Sequence, residues 1–167
     1  RIRQEACAQW EVFEKSRVPR ILIGAATCGQ AAGAGEVIKA IQDFLQESGI
    51  EAEITRVGCI GLCYAEPLVD IVKPGKPRIC YSNVTPQKAV EIIKSYLLNN
   101  DPRPDLAMGT LGEGEIAGIP RLFDLPMLKP QKRIVLRNCG LIDPENINHY
   151  IARDGYASLG KCISELT

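Results

Sequence analysis

Three of the seven cysteines lie in settings that suit metal binding. Cys28 follows a short apolar run in a loop of small residues, and Cys59 and Cys63 flank Ile-Gly-Leu in a second glycine-rich loop. Thiolates are soft ligands that suit iron, and Gly58 and Gly61 let this loop turn its side chains inward and aim backbone amides at the sulfurs. A [2Fe-2S] cluster normally takes four thiolates, two per iron. The pattern therefore predicts an iron-sulfur site whose fourth ligand is not evident.

Other uses of these thiols fit the pattern less well. A zinc site would take four nitrogen or sulfur ligands, and the single histidine, His149, lies far away in the sequence. Disulfide exchange of the thioredoxin type usually employs Cys-x-x-Cys at the start of a helix, whereas Cys59 and Cys63 are one residue further apart. A thiol-based redox enzyme that uses this pair stays open. The loop between Gly24 and Gly35 matches neither a Walker loop nor Gly-x-Gly-x-x-Gly, which argues against nucleotide binding.

The elements that must position these cysteines alternate strand and helix. Residues 20–24 form an apolar run typical of a buried strand, and residues 36–48 repeat apolar side chains at helical spacing. Residues 50–57 then alternate apolar and polar side chains, as in a strand with one solvent-facing side. If the two strands are parallel neighbours, a right-handed crossover brings Cys28 and the loop around Cys59 to the same end of the sheet.

The rest of the chain combines further elements with less regular stretches. A Pro-Gly turn joins two short apolar runs into a hairpin, and Thr85 followed by Pro86 is a typical helix start. Residues 99–132 lose all periodicity, which predicts an extended linker lying on a partner surface. The other predicted elements are a helix over 3–15, hairpin strands over 68–72 and 78–81, a helix over 85–98, a strand or extended segment over 133–137, a helix opening at Asp143 and ending before Gly155, and a helix over 156–166.

Composition restricts the partners and the compartment. Lys plus Arg and Asp plus Glu number 20 each, so no net field attracts nucleic acid. No apolar run approaches the roughly 18–20 residues of a spanning helix, so direct membrane insertion is not expected. Seven cysteines without a signal-peptide pattern indicate reduced thiols and a cytoplasmic location. The chain begins at Arg1 and ends within a helical pattern, which predicts that it is a piece of a longer polypeptide.

With these elements in place, the chain resembles a known family. The order β-α-β-β-β-α, with Ala-Thr-Cys at the first turn and Val-Gly-Cys-Ile-Gly-Leu-Cys-Tyr-Ala-Glu-Pro-Leu-Val after the second strand, is similar to the thioredoxin-like [2Fe-2S] ferredoxin domain. It looks most like the copy at the N-terminus of the NADH-binding, flavin-carrying subunits of NAD(P)H-linked hydrogenases and formate dehydrogenases. The stretches Arg-Ile-Val-Leu-Arg-Asn-Cys-Gly and Tyr-Ile-Ala-Arg-Asp-Gly-Tyr resemble the segment leading into the flavin domain, which is related to the NADH-oxidising subunit of respiratory complex I.

The resemblance implies an α/β fold and the N-terminal part of an NAD(P)H:acceptor oxidoreductase subunit of the NADH dehydrogenase type. FMN, NAD and a [4Fe-4S] cluster are expected only in the continuation beyond Thr167, so this segment alone would lack the flavin and NADH site. The implied partners are the flavin domain of the same polypeptide and other subunits of a redox complex. The expected divisions are an N-terminal helix over 1–19, a thioredoxin-like [2Fe-2S] ferredoxin-type domain over 20–98, an extended linker over 99–132, and a small β-α-α start of the flavin domain over 133–167.

Residue by residue, the resemblance makes Cys28, Cys59 and Cys63 the metal ligands. Cys59 and Cys63 match the second ligand pair of the family, and Cys28 matches the second cysteine of the first pair. The remaining ligand would fall at Ile23 or Gly24, and neither side chain binds iron. The expected [2Fe-2S] cluster is thus one ligand short.

Three outcomes for the fourth position stay open. Cys80, on the returning hairpin strand, could complete the set. The site could instead use three cysteines with a non-cysteine ligand or water, or the domain could have lost its cluster and act as a non-redox docking module in the complex. Cys139, in Arg-Asn-Cys-Gly, matches a position where family members often carry cysteine, but it stands alone in an extended turn and is not expected to be a ligand.

Overall fold

The structure is a computed structural model that describes residues 1–165. One mixed sheet forms its centre. The spatial order of its strands is β2-β1-β3-β4-β5. The strands are β1 (Arg20–Gly24), β2 (Glu53–Val57), β3 (Val69–Val72), β4 (Arg78–Tyr81) and β5 (Ala107–Leu111). The helices within the same range are α1 (Ile2–Glu14), α2 (Thr27–Ala31), α3 (Ala34–Ser48), α4 (Pro86–Ile93), α5 (Ile147–Ala152) and α6 (Ala157–Glu165).

The first two strands run parallel, as the crossover argument predicted. Their register pairs Arg20 with Glu53 and Gly24 with Val57, while β1–β3, β3–β4 and β4–β5 are antiparallel. The chain therefore leaves β1 and β2 from the same end of the sheet. A backbone hydrogen bond of 3.0 Å from Ala25 N to Val57 O continues the pairing just past the two strands.

One face of the sheet carries the main apolar core, which α3 and α4 cover. Helix α3 ends at Gly49, whose positive φ of 65° suits glycine, and α4 starts at Thr85, whose hydroxyl accepts a hydrogen bond from Lys88 N. The α/β thioredoxin-like prediction is confirmed. The buried residues of this core include Ile21, Ile23, Val37, Ile41, Val69, Ile71, Ile79, Tyr81, Ile92 and Ile93.

A second, smaller apolar cluster covers the opposite face. Successive strand side chains point to opposite faces, so Cys80 lies beneath this cluster while its neighbours Ile79 and Tyr81 belong to the main core. The other members come from the loop after β2 and from the segment after β5, among them Ile60, Leu62, Leu68, Leu122 and Leu128. The loop that carries Cys59 and Cys63 is thus anchored by buried side chains.

Two stretches before residue 60 differ from the predicted boundaries. The loop after β1 contains α2, and α3 begins at Ala34 rather than at residue 36. Strand β2 begins at Glu53, so residues 50–52 are not part of the predicted strand. The helical turn of α2 is explained by the alanines around Cys28, because alanine has the highest helix propensity.

The stretch predicted as an extended linker over 99–132 is partly strand. Ala107–Leu111 pair antiparallel with β4 and extend the sheet. Gly109 permits this arrangement, because a Cβ there would lie 2.7 Å from Leu122 Cα. The sequence pattern missed β5 because Gly109 and Thr110 interrupt its apolar residues, so no alternation marks it as a strand. This part of the segment therefore lies on its own sheet.

The predicted strand over 133–137 is wrong, because residues Val135–Asn138 form a 3-10 turn. The helix expected to open at Asp143 instead begins at Ile147, after Asn146, whose side chain accepts a hydrogen bond from Asn148 N. The last predicted helix extends to residue 166, and that residue lies outside the described range.

Helix α1 matches its predicted position within one residue and packs against α5. Trp10 and Phe13 surround His149, with ring centroids 5.0 and 5.1 Å from the imidazole. This aromatic contact ties the N-terminal helix to the tail of the chain. Among residues 1–165, no helix combines the length and the apolar character that crossing a membrane requires.

Candidate metal centre

The three predicted cysteines converge at the end of the sheet where β1 and β2 terminate. The sulfurs of Cys28, Cys59 and Cys63 all lie within 4.8 Å of one another. The Sγ–Sγ distance is 3.2 Å between Cys28 and Cys63, and 3.8 Å between Cys59 and Cys63. Residues 1–165 contain no second group of three or more Cys, His, Asp or Glu side chains gathered in this way. A soft donor set of three thiols fits iron better than a hard cation.

Local backbone geometry explains how two loops present three sulfurs to one point. Cys28 lies in the short helix α2 directly after β1, and Cys63 begins a 3-10 turn over Cys63–Ala65. Gly61 has φ of 91°, a left-handed conformation that favours glycine, and its N–H donates to Cys59 Sγ over 3.3 Å. This confirms the predicted role of Gly61, and an amide aimed at the sulfur stabilises a bound thiolate.

Two of the three thiols, those of Cys59 and Cys28, have raised pKa values, which favour their protonated form when no metal is present. Burial is the main reason that the pKa of Cys59 is raised to about 12, with Glu66 and Cys63 adding to the shift and the Gly61 amide opposing it. The pKa of Cys28 is raised mainly by its hydrogen bond with Cys63. Nucleophilic or disulfide-exchanging cysteines need a lowered pKa. The geometry therefore favours metal ligation, in which the metal displaces the protons, over thiol redox chemistry.

The other candidate cysteines lie elsewhere. Cys80 is fully buried in β4, opposite Asp70 across the β3–β4 pair, and is not part of the three-thiol group. Burial raises the pKa of its thiol well above the ordinary value. Cys139 is closer, because a Cβ placed on Gly58 would lie 3.8 Å from its Sγ, but its sulfur is also outside the group.

A glutamate that the sequence reasoning passed over lies beside the thiols. Glu66 is only 5% exposed, its Oε2 accepts a hydrogen bond of 2.8 Å from Leu68 N, and its Oε1 is buried with no hydrogen-bond partner among residues 1–165. It lies near Cys59, whose pKa it helps to raise, and its carboxylate is outside the group formed by the three sulfurs. The available signal was a single acidic residue inside the otherwise apolar stretch Leu-Cys-Tyr-Ala-Glu-Pro-Leu-Val.

The tail of the chain closes the site from one side. An Nη2 donor of Arg133 bonds to Ile60 O, and Arg78 Nη2 donates to Gly140 O over 2.7 Å. Gly140 lies so close to Ile60 that a Cβ on it would be 2.4 Å from Ile60 Cγ2. The segment around residues 133–140 is thus held against the loop that carries Cys59.

The fold and the converging thiols define this chain as an α/β domain that gathers three cysteine sulfurs at one end of its sheet. The sequence comparisons then relate it to hydrogenase subunits. It is 34% identical over 83 residues to the NADP-reducing hydrogenase subunit HndB of Solidesulfovibrio fructosivorans, a match that covers 49% of this chain and 66% of that subunit. It is also 56% identical over 36 residues to subunit HndC of the same organism, which covers 22% of this chain and 7% of HndC.

Solved structures with a related architecture come from Aquifex aeolicus. One thioredoxin-like [2Fe-2S] ferredoxin aligns with 60% of this chain and 99% of its own, with a TM-score of 0.48 and 19% sequence identity. A second structure, of the wild-type ferredoxin, covers 56% and 99%, with a TM-score of 0.47 and 20% identity. No protein-family model matches the chain.

The resemblance to subunits of NAD(P)H-linked hydrogenases is confirmed by the similarity to HndB and HndC. The match spans just under two thirds of HndB and a small part of HndC.

Proposed function

We propose that this chain is an electron-transfer module of an NAD(P)H-linked oxidoreductase, with a [2Fe-2S] cluster whose ligands include Cys28, Cys59 and Cys63. The observation that carries the proposal is the convergence of three sulfurs within 4.8 Å at one end of the sheet. The cluster would supply one-electron chemistry at that point. The similarity to two subunits of a hydrogenase supports a role in a complex of that kind.

The surroundings of the thiols suit exchange of electrons with a partner. Cys63 is exposed, so a cluster there would lie at the surface rather than inside the core. Next to it, Tyr64 is 65% exposed, and its hydroxyl lies 3.6 Å from the sulfur of Met127, which is 55% exposed. Exposed aromatic and methionine side chains are enriched in protein interfaces. This surface beside Cys63 is our proposed docking point for the redox partner.

The proposed partners follow from the same resemblance. A flavin domain in the continuation beyond Thr167, with FMN, NAD and a [4Fe-4S] cluster, would exchange electrons with this module, and other subunits of the complex would pass them on. We place the complex in the cytoplasm. In this proposal residues 20–98 remain the cluster-binding domain, and residues 133–167 lead toward the flavin domain.

Iron and acid-labile sulfide content of anaerobically purified protein tests the proposal. We expect about two irons per chain and an EPR signal after dithionite reduction, as for a two-iron cluster. Cys63→Ser should lose the iron and the signal, whereas Cys80→Ser should keep both, because Cys80 is fully buried in the second apolar cluster. Absence of iron from the wild-type chain, also after reconstitution with ferrous iron and sulfide, would contradict the proposal.

A non-redox docking module is the second candidate, favoured by Ile23 and Gly24 at the two positions where the missing cysteine would fall. In that case the metal-free chain would bind its partner subunits as tightly as the reconstituted chain does. If the metal-free chain instead cycled a disulfide between Cys59 and Cys63 at a defined potential, the thiol-based enzyme would replace both readings.

A further inference from the structure

We propose that Glu66 is the fourth protein ligand of the cluster and that its carboxylate oxygen replaces the thiolate of the missing cysteine. This inference rests on the proposed function, because it names a ligand of the same cluster. Three cysteines and one glutamate would then hold the two irons.

The first argument is the space that the carboxylate occupies. A Cβ built on Gly24 would lie 2.5 Å from Glu66 Oε2 and 2.9 Å from Oε1. Gly24 is one of the two positions at which the family pattern places its first cysteine. The glutamate therefore reaches, from the opposite loop, into the volume that a side chain at position 24 would fill. A glutamate side chain is longer than that of cysteine, which lets it span this gap.

The second argument is the state of the carboxylate. Glu66 is buried, with an exposure of only 5%. Its Oε1 has no hydrogen-bond partner within the described residues. Its Oε2 is fixed by Leu68 N at 2.8 Å, so the side chain has one constrained oxygen and one with free lone pairs. None of the ion pairs formed within residues 1–165 involves Glu66. A buried carboxylate without a cationic partner is costly, and a metal ion would relieve that cost.

Replacing a thiolate ligand by the Glu66 carboxylate leaves the total ligand charge on the two irons unchanged, because both groups carry one negative charge. An oxygen lone pair of Glu66 forms the bond to iron, the three thiols release their protons as their sulfur–iron bonds form, and no electron is transferred. Non-thiolate ligation of one iron of a two-iron cluster has a precedent in sites where histidines replace cysteines.

The two nearby cysteines are weaker candidates for the fourth place. Cys80 is enclosed in the apolar cluster of the sheet and faces Asp70 in the strand register. Cys139 approaches Gly58, the residue before Cys59, rather than Gly24. Glu66 is the side chain that fills the volume over Gly24.

Substitution of Glu66 tests the assignment through the cluster itself. In protein reconstituted with ferrous iron and sulfide, Glu66→Ala and Glu66→Gln should lower iron per chain by about tenfold or more. Loss of a residue that only contacts a metal ligand already weakens metal binding by about tenfold, and loss of a ligand should weaken it at least as much. Glu66→Gln keeps an acceptor for Leu68 N, and circular dichroism of the metal-free variants shows whether the fold is intact. Cys139→Ser and Cys80→Ser are the matched controls and should retain wild-type iron.

A repair variant gives the assignment a positive outcome. The double substitution Gly24→Cys with Glu66→Ala removes the clash at position 24 and supplies a fourth thiolate. We expect it to regain about two irons per chain, with absorption and EPR spectra shifted from the wild-type spectra toward those of a four-cysteine cluster. Gly24→Cys alone should bind less iron, because the new Cβ would meet the Glu66 carboxylate.

The outcomes separate this inference from the proposed function. If the wild-type chain binds two irons and both Glu66 variants keep them with unchanged spectra, the ligand assignment is wrong while electron transfer stands. Loss of iron in Cys139→Ser with retention in Glu66→Gln would also overturn it and assign Cys139. If the wild-type chain cannot be loaded with iron at all, both proposals fail together.

Discussion

Two buried carboxylates lie near the cysteine end of the sheet, and their surroundings differ. Asp70 is 6% exposed and forms a buried ion pair with Arg78, whose Nε donates to Asp70 Oδ2 over 2.8 Å. Glu66 is 5% exposed and has only the backbone amide of Leu68 as a donor. Each carboxylate leaves one oxygen without a hydrogen-bond partner among residues 1–165.

The difference indicates which carboxylate already has a cationic partner in the metal-free protein. Asp70 carries its own cation, and Arg78 also bonds to Gly140 O, so this pair holds the sheet and the tail together. Among residues 1–165 Glu66 has no such cation, and the thiol of Cys59 near it is a neutral group that cannot supply one. The Asp70–Arg78 pair therefore serves the fold, and Glu66 is arranged to receive a cation from outside.

The largest expected effect comes from breaking the complete pair. Arg78→Met leaves Asp70 buried and unpaired, which typically costs about 3–5 kcal/mol of the free energy of unfolding. Urea unfolding of the metal-free variant, followed by circular dichroism, measures this loss.

Two controls sharpen that measurement. Arg103→Met removes an arginine that pairs with the exposed carboxylates of Glu91 and Asp105, and it should cost much less because water screens that network. Adding Asp70→Leu to Arg78→Met removes the unpaired charge and should restore part of the lost stability. Equal losses for the Arg78 and Arg103 variants would contradict the view that burial makes the difference.

A smaller effect is expected when each of the two carboxylates is replaced by the corresponding amide. In the metal-free protein, Asp70→Asn weakens a charge-assisted hydrogen bond and should lower the free energy of unfolding by about 1.5–3 kcal/mol. Glu66→Gln keeps an acceptor for Leu68 N and loses no cation, so its cost should stay under about 1 kcal/mol. Urea unfolding of both variants at pH 7 decides this. If the Glu66 variant lost as much as the Asp70 variant, Glu66 would be a structural group of the metal-free fold.

Sequence patterns predicted the parts of this molecule that rest on apolar periodicity and on helix caps. Strand β1, the hairpin of β3 and β4, and the start of α4 at Thr85 follow from such local signals. The convergence of Cys28 with the pair at 59 and 63 followed from the parallel order of β1 and β2. The metal-ligand role of these cysteines stays a prediction.

The remainder depended on contacts between residues distant in the sequence. Strand β5 forms because β4 offers an edge and Gly109 admits Leu122, and neither cause is visible in the local sequence of the strand. A 3-10 turn at Val135–Asn138 stands where a strand was predicted, in the part of the tail that Arg133 holds against Ile60 O. Glu66 went unnoticed since its significance lies in its approach to Gly24 across two loops.

The smallest expected effect concerns His149, a half-buried titratable group that is accommodated by staying neutral. His149 packs between Trp10 and Phe13, its Nδ1 accepts a hydrogen bond of 3.1 Å from Asp143 N, and burial is the main cause that lowers its pKa below 6.5. Because the folded pKa lies below the unfolded one, the neutral imidazole contributes stability that is present above about pH 6.5 and is lost as the pH falls through the folded pKa. The single tryptophan, Trp10, reports this contact through its fluorescence. In the wild-type chain its fluorescence and the urea midpoint should change between about pH 7 and pH 5. In His149→Gln both quantities should change less over the same range. An identical pH dependence in wild type and His149→Gln would show that the α1–α5 contact does not depend on the neutral imidazole.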